Sequence, residues 1–309
     1  MNPDQYTNKE FYLDVGDGHQ LYVHDWGNPD GLPILHLHGG PGSGTSDSAK
    51  RNFDPSVHRV IFHDQRGAGK SLPYGSLANN TAADLVEDIE KIAKHLGLDT
   101  FVIHGGSWGS TLALAYSLKY PQRIKALVLF GIWTGAQAEI DYIEKGRFAT
   151  HFPDVWQTYL EATPESHRSN PGKYHLSRIL GDDEQAARES AITHLNMEGG
   201  IVRLDDRFSP NDPSDPMFDY TFVKIEAHYL VNHCFMPDRY IMDRAHKLDM
   251  PVWLVQARYD MVCPPTTAYE LHQKLPNSKL VWTIGGHVGS DRETSTVMHT
   301  ILLQLAEKG

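Results

Sequence analysis

The sequence predicts an α/β fold: a mostly parallel, doubly wound sheet with a helical segment inserted after the sixth strand. Three observations carry that expectation. Short apolar runs recur along the chain, and each ends in Gly, Asp or a turn cluster, as strands buried on both faces do. Stretches of helical period separate them, and strands alternating with helices build parallel sheets. The alternation stops over residues 134–245 and then resumes, which fits one interrupted sheet better than two independent domains.

The first two strands are expected between Phe11 and Trp26, where apolar and polar residues alternate about the hairpin signal Gly16-Asp17-Gly18. The third to sixth are Ile34-Leu35-His36-Leu37, Arg59-Val60-Ile61-Phe62, Phe101-Val102-Ile103 and Ala126-Leu127-Val128-Leu129-Phe130. Leu85, Ile89, Ile92 and Leu96 repeat at helical spacing behind a capping box of Thr81 and Asp84, and Thr111 to Tyr120 reads as a second helix. Residues 134–245 are polar, helix-like and punctuated by Pro and Gly. Val252-Trp253-Leu254-Val255 and Leu280-Val281-Trp282-Thr283-Ile284 are the seventh and eighth strands. Residues 1–133 and 246–309 are therefore expected to form one domain, with 134–245 inserted in it.

Composition narrows the class of function. The 309 residues are 40% hydrophobic and 22% charged, ordinary values for a globular protein able to bury a sizeable core. The net charge of −11 argues against a nucleic-acid partner, because affinity for phosphates rests on Lys and Arg, and it is compatible with a cationic substrate. Cys234 and Cys263 are the only cysteines, which fits a reducing compartment rather than a disulfide framework. Residues 1–20 hold Asp4, Glu10, Asp14 and Asp17 with no apolar core of a signal peptide. No apolar run approaches the roughly 20 residues of a membrane helix, so a cytoplasmic protein without a membrane partner is expected. The sequence leaves the oligomeric state open.

In a doubly wound sheet, chemistry belongs at the carboxyl ends of the strands. There the chain offers His38-Gly39-Gly40-Pro41-Gly42, His63 to Ser71, His104-Gly105-Gly106-Ser107-Trp108-Gly109-Ser110, Gln256 to Pro265 and Gly285 to Ser290. A serine, an aspartate and a histidine thus follow three strands in that order, the order of an α/β-hydrolase triad. A serine hydroxyl is a poor nucleophile and needs a base, and the base needs a carboxylate to hold its tautomer. Ser107, His287 and Asp260 are the candidates for these three roles. Gly105 to Gly109 fits G-x-S-x-G, and the oxyanion donors are expected to be the backbone N–H groups of Trp108 and Gly40. His36 and His38 lack the ligand set that a metal would need. Asp64 follows a strand too, but beside Arg66 it reads as half of a structural ion pair. Cys263, three residues after Asp260, either lines the site or is a buried inert thiol.

Five motifs, "HGGPG", "DQRGAGKS", "GGSWGS", "RYDMVCPP" and a late "GGH", together resemble the proline iminopeptidases, serine peptidases of the α/β-hydrolase fold, from about Leu32 to His287. The resemblance implies a helical cap over the active site and release of N-terminal proline through a prolyl-enzyme ester, without metal or organic cofactor. The partner it implies is a small peptide with a free N-terminal proline. In the family two cap glutamates hold the substrate's ammonium group, and they correspond to Glu198 in "NMEGG" and Glu226 in "KIEAHY". Ile225, His228 and Tyr229 accompany Glu226 as in the family, whereas Thr193-His194-Leu195-Asn196-Met197 stands where tryptophans are usual. If the two glutamates are close, each should raise the other's pKa and the pair should titrate as a unit. Trp133 occupies the position of a family aromatic at the proline pocket, and a second such position falls at Tyr142 or Ile143. The late motif reads "GGHV" where the family favours a small polar residue after the histidine. A broader aminopeptidase, arylamidase or esterase would use the same scaffold, and so would a catalytically idle α/β-hydrolase that only binds a small molecule.

Overall fold

The apolar runs pair into one sheet. The computed structural model describes residues 3–205, 208–212 and 218–308. Within them the strands are β1 (Thr7–Gly16), β2 (His19–Gly27), β3 (Leu32–Leu37), β4 (His58–His63), β5 (Phe101–Ser107), β6 (Ile124–Ile132), β7 (Val252–Ala257) and β8 (Ser278–Thr283). Their order across the sheet is β1-β2-β4-β3-β5-β6-β7-β8. β1 and β2 form the expected hairpin, β2 runs antiparallel to β4, and all later pairings are parallel. At the hairpin Gly16, Asp17 and Gly18 all have positive φ, the conformation a tight right-twisted turn demands.

Strand residues alternate between the two faces. Leu35, Leu37, Ile61, Ile103, Leu127, Leu129 and Leu254 join the large core on one side, with α1 (Ala82–His95), α2 (Trp108–Lys119) and α8 (Pro265–Lys274). Ile34, Val60, Phe62, Val102, Val128 and Val255 face the other side and pack on Met298, Ile301 and Leu302 of α9 (Arg292–Lys308). The Thr81–Asp84 capping box opens α1, with Thr81 N–H donating to the Asp84 carboxylate at 3.0 Å.

Between β6 and β7 the chain forms α3 (Gln137–Glu144), α4 (Pro153–Glu161), α5 (Pro171–Ile179), α6 (Glu184–Ile201) and α7 (Thr221–Val231). The inserted segment carries two small apolar clusters, one around Phe148, Tyr159, Met197 and Ile201 that also takes in Met261 from the loop after β7, the other around Leu176, Ile179, Ala191 and Val223. Ile225 and Tyr229 of α7 belong instead to the large core of the sheet, so the insertion is anchored by burial rather than hung on its two connections. Among the described residues no helix is long and apolar enough to cross a membrane.

The expected pairing of Asp64 with Arg66 is corrected by the structure. Arg66 donates to Asp88 of α1 at 2.6 and 2.9 Å, and both side chains are 1% exposed. The Asp64 carboxylate instead accepts the backbone N–H groups of Thr45 and Lys70 at 2.6 and 2.8 Å. Loop amides past the strand end need an acceptor, and a guanidinium buried under α1 needs the carboxylate opposite it, so neighbours in sequence part company. Asp88→Ala leaves the buried Arg66 charge without its bidentate partner. It is expected to lower the unfolding free energy by about 3–5 kcal/mol, read from the midpoint of a urea titration.

Candidate active site

β5 runs into α2 with no intervening loop, and Ser107 is the corner. Its backbone, at φ 55 and ψ −127, lies where an L side chain is strained, a conformation that persists only when the surroundings enforce it. The enforcement is close packing. A Cβ at Gly109 would sit 2.3 Å from the Leu37 carbonyl oxygen at the end of β3, and one at Gly105 would sit 2.7 Å from the carbonyl oxygen of Gly109. G-x-S-x-G is thus a steric requirement here. Trp108 is the first residue of α2, where backbone N–H groups have no partner within the helix. Its side chain is fully buried, donates from Nε1 to Gln65 Oε1 at 2.8 Å and packs on Tyr229 with centroids 4.9 Å apart.

The loop after β3 lies against the same corner. A Cβ at Gly39 would be 3.4 Å from Ser107 Cβ and 4.0 Å from its Oγ. Gly40 has φ +106, and a side chain there would meet the backbone nitrogens of Gly42 and Ser43 at 2.5 and 2.9 Å. His38 braces this turn: its Nε2 accepts from Gln65 N–H at 3.0 Å, which leaves Nδ1 to donate to the Gly39 carbonyl at 2.9 Å. His36 pairs separately with His104, Nδ1 to Nδ1 at 3.0 Å, so the two histidines do not converge on a shared ion.

Asp260 and His287 meet beyond the ends of β7 and β8. His287 Nδ1 lies 2.9 and 3.1 Å from the two Asp260 oxygens, which makes Nδ1–H the donor and leaves Nε2 as proton acceptor. Asp260 Oδ1 also accepts from the N–H groups of Val262 and Cys263 at 3.0 and 2.7 Å, fixing the carboxylate. Burial is the largest single influence on His287 and opposes its protonation, but the charge and hydrogen bond of Asp260 together with the contact to Cys263 outweigh it and raise the imidazole pKa well above its usual value. The Cys263 thiol touches this imidazole, and burial pushes it up to about 11, so it stands at the site as a neutral group. The backbone N–H of His287 donates to the carbonyl of Val202, the residue capping α6, at 2.8 Å. The insertion therefore holds the loop that carries the histidine.

A cavity of about 640 Å³ joins these parts. Ser107, His287, Gly39 and Gly40 form its floor, and Trp133, Ile140 and Ile143 line it with apolar surface. Ile143, not Tyr142, lines the cavity; the Tyr142 hydroxyl instead meets the sulfur of Met261, in the loop after β7, at 3.9 Å. Glu198 of α6 and Glu226 of α7 also line it, with carboxylate oxygens within 4.8 Å of each other. The residues around Glu226 explain its placement. Ile225 and Phe222 pack against Gly42 and Gly40, while His228 and Tyr229 bond to the carbonyl and side-chain oxygens of Asn80 at 3.1 and 2.8 Å. Burial raises Glu226 well above the usual carboxylate range, with Glu198 and Glu144 adding to it, and burial brings Glu198 to about 7 against the opposing pull of His287.

Glu144 is the residue that sequence reasoning missed. It lines the same cavity, neither carboxyl oxygen has a hydrogen-bond partner among the described residues, and burial followed by the Glu198 charge raises it to about 8. Its only signal in the sequence is that Ile140, Ile143 and Glu144 share one helical face. Glu139, the neighbouring acid, is occupied: it accepts from the N–H groups of Thr134 and Ala136 and caps α3.

The chain matches the family model described as the alpha/beta hydrolase fold over residues 33–290. It is 41% identical over 274 residues to a proline iminopeptidase of Arabidopsis thaliana, covering 87% of this chain and 72% of the relative. A proline iminopeptidase of Xanthomonas citri is 38% identical over 91% of both chains, and one of Neisseria gonorrhoeae 35% identical over 91% of this chain and 90% of the relative. The chain belongs to the proline iminopeptidase family. Among solved structures, an esterase from Exiguobacterium antarcticum superposes with a TM-score of 0.67 at 20% identity, over 96% of this chain and 99% of that one, a likeness of fold. In this member of the proline iminopeptidase family, the segment before Glu198 that lacks tryptophans puts a buried imidazole, His194, 3.7 Å from the carboxylate and turns Leu195 to the cavity.

Acyl transfer calls for a serine nucleophile, an imidazole held by a carboxylate and backbone donors, and candidates for each lie around this cavity. Asp260→Asn keeps the shape but presents an amide to His287 Nδ1, favouring the wrong tautomer. A fall in kcat of about 10⁴-fold is expected, with an unchanged circular dichroism spectrum.

Proposed function

We propose that the chain is a serine aminopeptidase that releases N-terminal proline from small peptides, with residues 1–133 and 246–309 as its catalytic domain and 134–245 as a substrate-selecting cap. The observation that carries this reading is the presence of two carboxylates largely withdrawn from solvent, Glu198 and Glu226, in the same cavity as Ser107 and His287. Buried carboxylates without a cation are unfavourable, so the cavity favours a ligand that brings a positive charge to within a few ångströms of the scissile carbonyl. An α-ammonium group does so. Trp133, Ile140 and Ile143 offer apolar surface to a pyrrolidine ring. The names of the relatives point the same way.

In this scheme Ser107 Oγ attacks the prolyl carbonyl while His287 Nε2 takes its proton. The N–H groups of Trp108 and Gly40 receive the charge that develops on the carbonyl oxygen. The imidazolium, stabilised by Asp260, returns the proton to the departing amine. A water activated by the same imidazole then hydrolyses the prolyl ester. No step calls for a metal or organic cofactor. Cytoplasmic location is part of the proposal, supported by two free, buried cysteines that suit a reducing compartment.

The deciding experiment compares Pro-, Ala- and N-acetyl-Pro-arylamides. Fast cleavage of Pro-arylamide and a loss of at least about a hundred-fold on acetylation are expected, since the acetylated amide has no charge to place against the carboxylates. Glu226→Gln should depress kcat/KM for Pro-arylamide far more than hydrolysis of a neutral ester. Equal rates on the acetylated compound sink the aminopeptidase reading, and Ala equal to Pro makes the enzyme a broader one.

The raised carboxyl pKa values give a pH signature. A carboxyl group with a raised pKa is neutral below that value and charged above it, and the ammonium group requires the charged form. With Glu198 near 7 and Glu144 near 8, KM for Pro-arylamide should fall by about ten-fold between about pH 6 and pH 8. KM for a neutral ester, measured in the same buffers, should stay flat.

A further inference from the structure

We propose that His194, Glu198 and Glu226 form a binding site for a divalent transition-metal ion, Zn²⁺ being the best match, and that the bound ion excludes substrate from the amine end of the cavity. His194 Nε2 and one oxygen from each glutamate lie within 4.8 Å of one another. His194 and Glu198 stand four residues apart on α6 and so share a face of the helix, while α7 brings Glu226 to them. Ligands on a tetrahedral zinc ion with bonds of about 2.0–2.1 Å are separated by about 3.3 Å. The His194–Glu198 distance is already 3.7 Å, and the 4.8 Å limit on the remaining separations leaves at most about 1.5 Å to close.

The state of the donor atoms is a second, independent observation. His194 is fully buried, and among the described residues its Nε2 has no hydrogen-bond partner; Glu226 is 6% exposed, and its Oε2 has none there either. The other ring nitrogen, Nδ1, is bonded to the Tyr159 hydroxyl at 3.3 Å. An imidazole whose far nitrogen is tied to an outer-shell oxygen, with its near nitrogen free, is the arrangement of a metal-ligating histidine. One nitrogen and two carboxylate oxygens suit zinc better than calcium or magnesium, which take oxygen ligands alone. Glu198 and Glu226 line the cavity, from which water would complete the coordination.

Metal and ammonium group would call on the same two carboxylates, so occupancy by one excludes the other. That competition rests on the amine-binding reading, whereas the binding itself does not. A rival cluster lies nearby, because Asp260, Cys263 and His287 also present donor atoms within 4.8 Å of one another. There, however, His287 Nδ1 is already engaged by Asp260.

Calorimetric titration of Zn²⁺ into Ser107→Ala protein, which cannot turn over, tests the site. One ion per chain is expected, with affinity lowered at least about ten-fold by added His194→Gln or Glu198→Gln and unchanged by added Cys263→Ala. Near-ultraviolet circular dichroism of each variant checks that its tertiary packing is intact. Absence of binding overturns the proposal, and so does an affinity that Cys263→Ala abolishes while both His194→Gln and Glu198→Gln leave it unmoved. With Ser107 present, Zn²⁺ should raise KM for Pro-arylamide without lowering kcat. Binding at His194 combined with equal slowing of Pro- and N-acetyl-Pro-arylamide would keep the metal site and reject the amine reading instead.

Discussion

The approach of Gly109 to the Leu37 carbonyl is the contact from which the site is built. A Cβ there would lie 2.3 Å from that oxygen, so only glycine lets the start of α2 press against the end of β3. That pressure keeps Ser107 in a conformation it would otherwise leave. It also brings the loop after β3 to the serine, where a Cβ at Gly39 would already be in van der Waals range of the serine side chain. Trp108, Gln65 and His38 then form a buried hydrogen-bonded chain that locks the corner and the loop to each other. The strain at the serine is held by parts that have no chemistry of their own.

The inserted helices extend this frame rather than sit on it. Phe222 and Ile225 of α7 pack on Gly40 and Gly42, Tyr229 packs on Trp108, and Val202 receives the backbone N–H of His287. The motif around Glu226 is therefore a positioning device, since each companion residue ties the helix to the corner or the loop. Its effect is to hold carboxylates in a place where burial disfavours their charge. Glu144, Glu198 and Glu226 are all raised by burial first, and each lines the cavity that Ser107 faces. Unfavourable charge in the empty cavity becomes affinity when a cation enters. The expectation of mutual influence between two glutamates understates the cluster, because Glu144 is a third member.

Much of the architecture was legible because it is written locally. Buried parallel strands announce themselves as apolar runs, the hairpin as Gly16-Asp17-Gly18, and the first helix as Thr81 with Asp84 before a helical period. The order serine, aspartate, histidine after β5, β7 and β8 singled out Ser107, Asp260 and His287 as candidates, since strand ends in such a sheet come together at one edge. Arg66 was misjudged because a neighbour two residues away was taken for its partner, when Asp88 lies across the fold and 22 residues on. Glu144 escaped notice because an acid at the end of a polar helix looks the same in sequence whether it faces water or a cavity.

The sequence by itself determined the strand and helix rhythm, the glycine-framed corner and the residue types available for acyl transfer, because each depends on spacing along one stretch of chain. Only the tertiary structure decided which polar side chains are buried together. His194, Glu198 and Glu226 come from two helices, and Glu144 from a third. Their nearness depends on how Ile225 and Phe222 seat α7 on the glycine loop and how Val202 meets His287. Spacing along the chain specifies an element, but the charge that a carboxylate carries depends on what surrounds it in space, and that is settled only when the elements pack.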